Sequence, residues 1–86
     1  MLTAAQIRAA RALLDWSQKK LAEMAKLSVP TVKRMEGPMG PEHSTLANVE
    51  AIKRACETGG VIFLDPTTPK EGPGVRLKRS PQVSNR

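Results

Sequence analysis

Residues 17–36 read SQKKLAEMAKLSVPTVKRME. Two short amphipathic segments stand back to back in this stretch, each opened by a serine, Ser17 and Ser28. A serine hydroxyl caps a helix start by accepting from the free N–H groups of the first turn. In the first segment, residues 18–25, Leu21, Met24 and Ala25 form an apolar face, and Ala22 falls where a following helix should cross at close range. Lys26 and Leu27 make the turn. In the second segment, about residues 29–36, Pro30 lies in the first turn, where its missing N–H costs nothing. Val32 and Met35 point inward. Two capped helices with so short a turn between them predict a helix-turn-helix, the second helix being shaped to enter a DNA major groove.

The outer face of that second helix follows from a wheel at 100° per residue. With Val32 at zero, Met35 lies at about 300°, so the core is on that side. Lys33, Pro30 and Arg34 then fall at about 100°, 160° and 200°, away from the core, with Val29 and Thr31 at the two edges. Arg34 or Lys33 can reach guanine O6 and N7, and Val29, Pro30 or the Thr31 methyl can pack on a thymine methyl. The plainer reading is a solvated basic face on an ordinary helix. The capped helix and short turn ahead of it favour the first reading.

Working outward, helix 1 is expected over about residues 4–14. Thr3 is its N-cap and Gln6 completes a capping box, while Leu2 and Ile7 are spaced as a hydrophobic staple. Ile7, Ala10 and Leu14 mark its buried stripe, flanked by Arg8 and Arg11. Asp15 and Trp16 break the helix. Residues 37–43 read as a loop of glycine and proline. Ser44 or Thr45 then caps helix 4, which ends near Thr58 and presents Leu46, Val49, Ile52 and Cys56 as a core face. Val61–Leu64 is a short apolar run after a glycine pair, and Val75 and Leu77 alternate with Arg76 and Lys78. These runs predict a β-hairpin of residues 61–65 and 75–79 joined by a turn at 66–74. The expected organisation is a helical domain at 1–60, a hairpin at 61–79 and a disordered tail at 80–86.

The chain has 86 residues, which suits one small domain. Its net charge of +6 is uneven: residues 1–65 hold 9 basic and 7 acidic side chains, and residues 66–86 hold 5 and 1. Such a balance favours phosphate-rich partners through counterion release. With Trp16 and Phe63 as the only aromatics, modules built on aromatic stacking platforms are disfavoured. Cys56 is the single cysteine, which excludes an internal disulfide and fits a reducing cytosol. No apolar run approaches the roughly 20 residues that span a bilayer.

Catalysis has little support. One histidine, His43, sits in a loop without a second ligand nearby in sequence. Cys56 lies on an apolar helix face, and no glycine-rich phosphate loop is present. Neither an enzyme, a metal nor a cofactor is expected. Helix N-termini attract anions, so Gln18 and Lys19 suit a DNA phosphate, with Ser44 and Thr45 as weaker candidates. For Gln18, a plain surface position behind the Ser17 cap is an equal alternative.

The strings LLDWSQKKLAEMAKLSVPTVKRMEG and LANVEAIKRA closely resemble the lambda-repressor/Cro-like helix-turn-helix domains of the XRE family. The resemblance covers residues 3 to about 58. It implies a mainly α fold, a lambda-repressor-like four-helix domain, followed here by the C-terminal hairpin. It also implies operator binding as a homodimer. Base contacts are implied at Val29, Pro30, Thr31, Lys33 and Arg34. Phosphate contact is implied at Gln18, with Lys19, Lys26, Ser28, Ser44 and Thr45 as further candidates. An arginine of helix 1 and a glutamate closing helix 3 pair in the family, and Arg11 and Glu36 stand at those positions as a structural pair. Lys26 departs from the glycine frequent in the family's turn, where φ > 0 would cost lysine ~1 kcal/mol. Val29 and Pro30 replace the family's usual glutamine or serine, so the base specificity does not carry over. The segments GGVIFLD and GPGVRLKR resemble the tail of a subgroup of these short regulators.

The leading expectation is a sequence-specific regulator of double-stranded DNA, a repressor acting as a homodimer in the cytoplasm of a bacterium or encoded by a phage. The alternative is an antitoxin-type or accessory protein that holds a protein partner through the hairpin and binds DNA for autoregulation. A third is a nonspecific nucleic-acid packaging protein, with similar affinity for all duplexes.

Overall fold

A computed structural model describes residues 2–65 and 70–78. Four helices, α1 (Ala4–Leu14), α2 (Gln18–Ala25), α3 (Val29–Met35) and α4 (Leu46–Gly59), precede an antiparallel hairpin of β1 (Val61–Leu64) and β2 (Gly74–Leu77). A 3₁₀ turn, Gly40–His43, occupies part of the expected loop 37–43.

Each α-helix starts on a hydroxyl. Thr3 accepts from the Gln6 N–H at 3.1 Å while the Gln6 side chain accepts from the Thr3 N–H at 2.9 Å, a reciprocal capping box. Ser17 and Ser28 accept from Lys20 and Thr31. Thr45, rather than Ser44, caps α4 through the Asn48 N–H. The ends of α1 and α2 close alike. Asp15 (φ 58°) and Lys26 (φ 60°) turn left-handed, and the next N–H, of Trp16 or Leu27, reaches back to the carbonyl of Arg11 or Ala22 at 2.9 Å. Lys26 therefore carries the left-handed conformation without glycine.

Ile7, Leu21, Val32, Met35, Ile52, Cys56 and Val61 are fully buried at the centre. Two expected core residues are not in it. Met24 is 41% exposed. The buried face of α2 is Leu21, Ala22 and Ala25, whose centre lies about 110° round the helix from Met24. Leu46 is 73% exposed. It is the first residue of α4 and lies about 110° from the centre of the Val49, Ile52, Ala55 and Cys56 face. Both errors came from reading spacing without the neighbouring helix that sets the core's direction. Element ends also shift. Glu36 is the cap of α3 rather than its last residue, and α4 runs on to Gly59. β2 starts one residue earlier than expected, at Gly74, and ends at Leu77. What is expected of residues 66–69, residue 79 and the tail 80–86 lies outside the described residues.

The hairpin packs across α1 and α4. Val61 is buried, and Phe63 and Val75, which pair across the strands, pack on the core. Gln6 ties the hairpin down from the other side of its capping box. Its buried amide nitrogen donates to the Gly74 carbonyl at 2.9 Å and more loosely to that of Leu64 at 3.4 Å. Gly59 allows the α4 end to sit under Trp16, since a Cβ there would come within 3.0 Å of the indole. Replacing Gln6 with leucine keeps the volume and removes every one of these bonds. The expected result is a loss of about 1–3 kcal/mol, with amide exchange of 61–64 and 74–77 accelerated more than that of α4. Equal acceleration everywhere would refute the tie.

Candidate nucleic-acid interface

The site is built around one buried carboxylate. Glu36, 5% exposed, ends α3 and is held from two other helices. Arg11 of α1 grips it with both arms of the guanidinium fork, Nε to Oε2 at 2.7 Å and Nη2 to Oε1 at 3.0 Å. Bidentate charge-assisted pairs of this kind fix orientation as well as adding energy. The hydrogen bond to Glu36 raises the Arg11 pKa further; burial opposes that rise and the carboxylate's charge adds to it. Gln18 of α2 donates its amide to Oε1 at 3.0 Å, and Arg11 also donates to the Trp16 carbonyl at 3.0 Å. The backbone is gripped too: Arg8 donates to the Glu36 carbonyl at 2.6 Å. The end of α3 is thus bolted to α1 and to the first residue of α2.

On this frame, Pro30, Lys33 and Arg34 are exposed together on the outer side of α3. The side chains of Lys33 and Arg34 make no hydrogen bond or ion pair among the described residues. Unpaired cations on a rigid helix face are free to meet an external anion or base edge. Val29 and Thr31 are half-buried. Val29 packs against the core, and the Thr31 hydroxyl shares a 2.8 Å hydrogen bond with that of Ser28. These two therefore have less side chain to offer outward than Pro30, Lys33 and Arg34.

The phosphate candidates are spread over α2, the turn into α3 and the start of α4. Lys19 and Lys26 are exposed at the start and end of α2. Ser28 is exposed but already caps α3. An open cleft of about 390 Å³ lies beside the C-terminal end of α3, with Lys33, Arg34, His43 and Ser44 on its walls and Met39 exposed in it. Thr45 accepts from the Asn48 N–H as the cap of α4, a bond that does not use its own O–H. The Gln18 amide group has two N–H bonds. One goes to Glu36, so at most one remains for a phosphate.

Sequence reasoning missed Arg8 and the second use of Gln18. Arg8 stands three residues before Arg11, on the same helix face, and that spacing was the available signal. Cys56 is buried, and desolvation, helped by the charges of Glu36 and Glu57, pushes its thiol up to about 11. A thiol protonated at neutral pH is a packing group, not a nucleophile. Among the described residues there is no cluster of three or more His, Cys, Asp or Glu able to hold a metal ion, and no helix long and apolar enough to cross a membrane.

Residues 7–36 match the family model described as Helix-turn-helix. No curated protein matches the chain. The matched span runs from the first core residue of α1 to the carboxylate that closes α3, so it holds both helices of the motif and the Arg11–Glu36 pair that orients them. Residues 7–36 therefore carry a helix-turn-helix of the XRE, lambda-repressor-like type, a match that supports a role in binding DNA and regulating transcription.

Proposed function

We propose that the protein is a repressor that binds a palindromic operator as a homodimer. The observation that carries this reading is the outward set Pro30, Lys33 and Arg34 on a helix whose end is locked by Arg8, Arg11 and Gln18. In the proposed complex α3 enters the major groove. Arg34 and Lys33 donate to guanine edges, and Pro30, Val29 and the Thr31 methyl make apolar contact with thymine. Gln18, through its second N–H, and Lys19, Lys26, Ser28, Ser44 and Thr45 face the phosphates on either side.

A dimer is supported by the hairpin. It is a two-stranded sheet with no third strand among the described residues, and unpaired strand edges are templates for further pairing. Leu64 and Leu77 are exposed on it, at 37% and 46%. A repressor acts by occupying DNA, and this chain offers a reading helix and an assembly edge with which to do so.

Selection of bound duplexes from a random library tests the reading. The expected product is a palindrome whose half-sites lie ~34 Å apart, one turn of the double helix. A single unrepeated half-site would refute the homodimer on DNA. Recovery of no consensus, with a steep salt dependence for all duplexes, would refute sequence-specific reading.

A further inference from the structure

The seven side chains of α3, Val29–Met35, include no carboxylate and no amide. Val32 and Met35 are buried, and Val29 packs against the core. Pro30, Lys33 and Arg34 stand outward. A lysine head carries three N–H donors and an arginine head five; neither accepts, and a proline side chain does neither. Thr31 holds the one hydroxyl of the helix. It is half-buried at the edge of this face, 2.8 Å from the Ser28 hydroxyl.

The fold also withdraws the carboxylate that ends the motif. Glu36 caps α3 but is 5% exposed, and each of its oxygens accepts from Arg11. Gln18 opens α2, and its amide nitrogen is tied to the same carboxylate. What remains on the outer face of α3 donates hydrogen bonds or is apolar. Base edges in the major groove answer such a face unequally. Guanine offers two acceptors, N7 and O6, and thymine offers O4 and a methyl group. Adenine sets an N6 amino donor beside N7, and cytosine presents its N4 amino donor. Both of these aim N–H bonds at side chains that are themselves donors.

Building on the operator reading above, we infer that α3 recognises keto edges. The bases it touches are guanine, under Arg34 or Lys33, and thymine, under Pro30. Adenine and cytosine enter the contacted steps only as the unread complements of these two. Pro30 and Arg34 stand at i and i+4, on the same side of the helix. A rise of ~1.5 Å per residue separates them by about 6 Å along its axis. Bases on one strand are ~3.4 Å apart, so the thymine and the guanine lie about two base pairs from each other.

Base analogues placed one at a time in the selected operator test this, with affinity for the full chain read by fluorescence anisotropy at one salt concentration. Deoxyuridine in place of thymidine removes only the methyl group. At one thymine of the half-site it is expected to weaken binding about 4-fold, the contribution of one buried methyl. In Pro30→Ser, which sets a hydroxyl where the apolar ring stood, the thymine and uracil operators are expected to bind alike. A deazaguanine that lacks the N7 acceptor is expected to weaken binding about 5-fold or more at a guanine roughly two base pairs away. Replacing adenine with 2-aminopurine moves the amino group out of the major groove, keeps pairing with thymine, and is expected to leave affinity unchanged. A loss of about 5-fold or more with 2-aminopurine means that an acceptor reads adenine; it overturns the keto assignment and leaves the operator reading standing. Equal affinity for thymine and uracil at every position, or indifference to the deazaguanine at every guanine, overturns it as well. A selection that yields no consensus overturns the operator reading and the keto assignment together.

Discussion

Arg11→Ala lowers the folding free energy by roughly 3–5 kcal/mol, because it leaves a buried carboxylate without its cation. For a chain of 86 residues, total stability is on the order of 4–13 kcal/mol, so this is a large share of the whole. The two partners are unequal. The Glu36 side chain is 4% exposed and that of Arg11 is 22% exposed. Removing the arginine strands a desolvated charge whose remaining side-chain donor is Gln18. Glu36→Gln instead leaves an arginine that can turn to water and still holds the Trp16 carbonyl. Urea denaturation of the two variants should therefore show Arg11→Ala as the more damaging, by about a factor of two. Equal and small losses, below ~1 kcal/mol, are what an exposed ion pair gives, and would refute the role of the pair as the anchor of α3. The double variant Arg11→Met with Glu36→Met recovers much of the stability, since well-packed apolar replacements of buried pairs are often neutral or better.

Arg34→Ala is expected to weaken binding to the selected operator by about 5-fold to 150-fold, the discrimination of one bidentate base contact, while binding to a random duplex falls only a few-fold. Fluorescence anisotropy on both duplexes at one salt concentration measures the difference. Arg34 is exposed and has no partner within the described residues, so folding is not at stake and the loss reads directly on DNA. The same loss on both duplexes would mean that Arg34 meets a phosphate. In that case the salt slope falls by about one unit and the base-reading role of Arg34 is wrong.

How far the fold could be read in the sequence depends on the range of the interactions. The starts of α1, α2, α3 and α4 were visible because Thr3, Ser17, Ser28 and Thr45 each bond an N–H three residues on. Nothing distant is needed for that. The strands were visible in outline because an apolar run and a period of two are also local signals. The 3₁₀ turn at Gly40–His43 was not, since glycine and proline mark a break without naming what fills it. Met24 and Leu46 were misread because a spacing of three or four marks a face but does not say which way the face is turned. Ala22 and Ala55 show the true directions: the core lies where neighbouring helices press, and small residues permit the closest approach.

The candidate site divides the same way. That Pro30, Lys33 and Arg34 share the side of α3 opposite Val32 and Met35 is a matter of helical period, and seven residues contain it. That this side is held rigidly is a matter of Glu36 meeting Arg8, Arg11 and Gln18, which are 28, 25 and 18 positions away in the chain. Gln6 makes the point most sharply. Its capping bond to Thr3 spans three residues, and its bond to the Gly74 carbonyl spans 68. By itself the sequence determined where helices begin, which residues α3 turns outward, and the basic character that suits DNA, because each depends on neighbours within about two turns. Only the tertiary structure decided the pose of α3 and the docking of the hairpin. Those depend on which distant groups desolvate together, and a buried carboxylate or amide takes whichever donor or acceptor the packing brings to it.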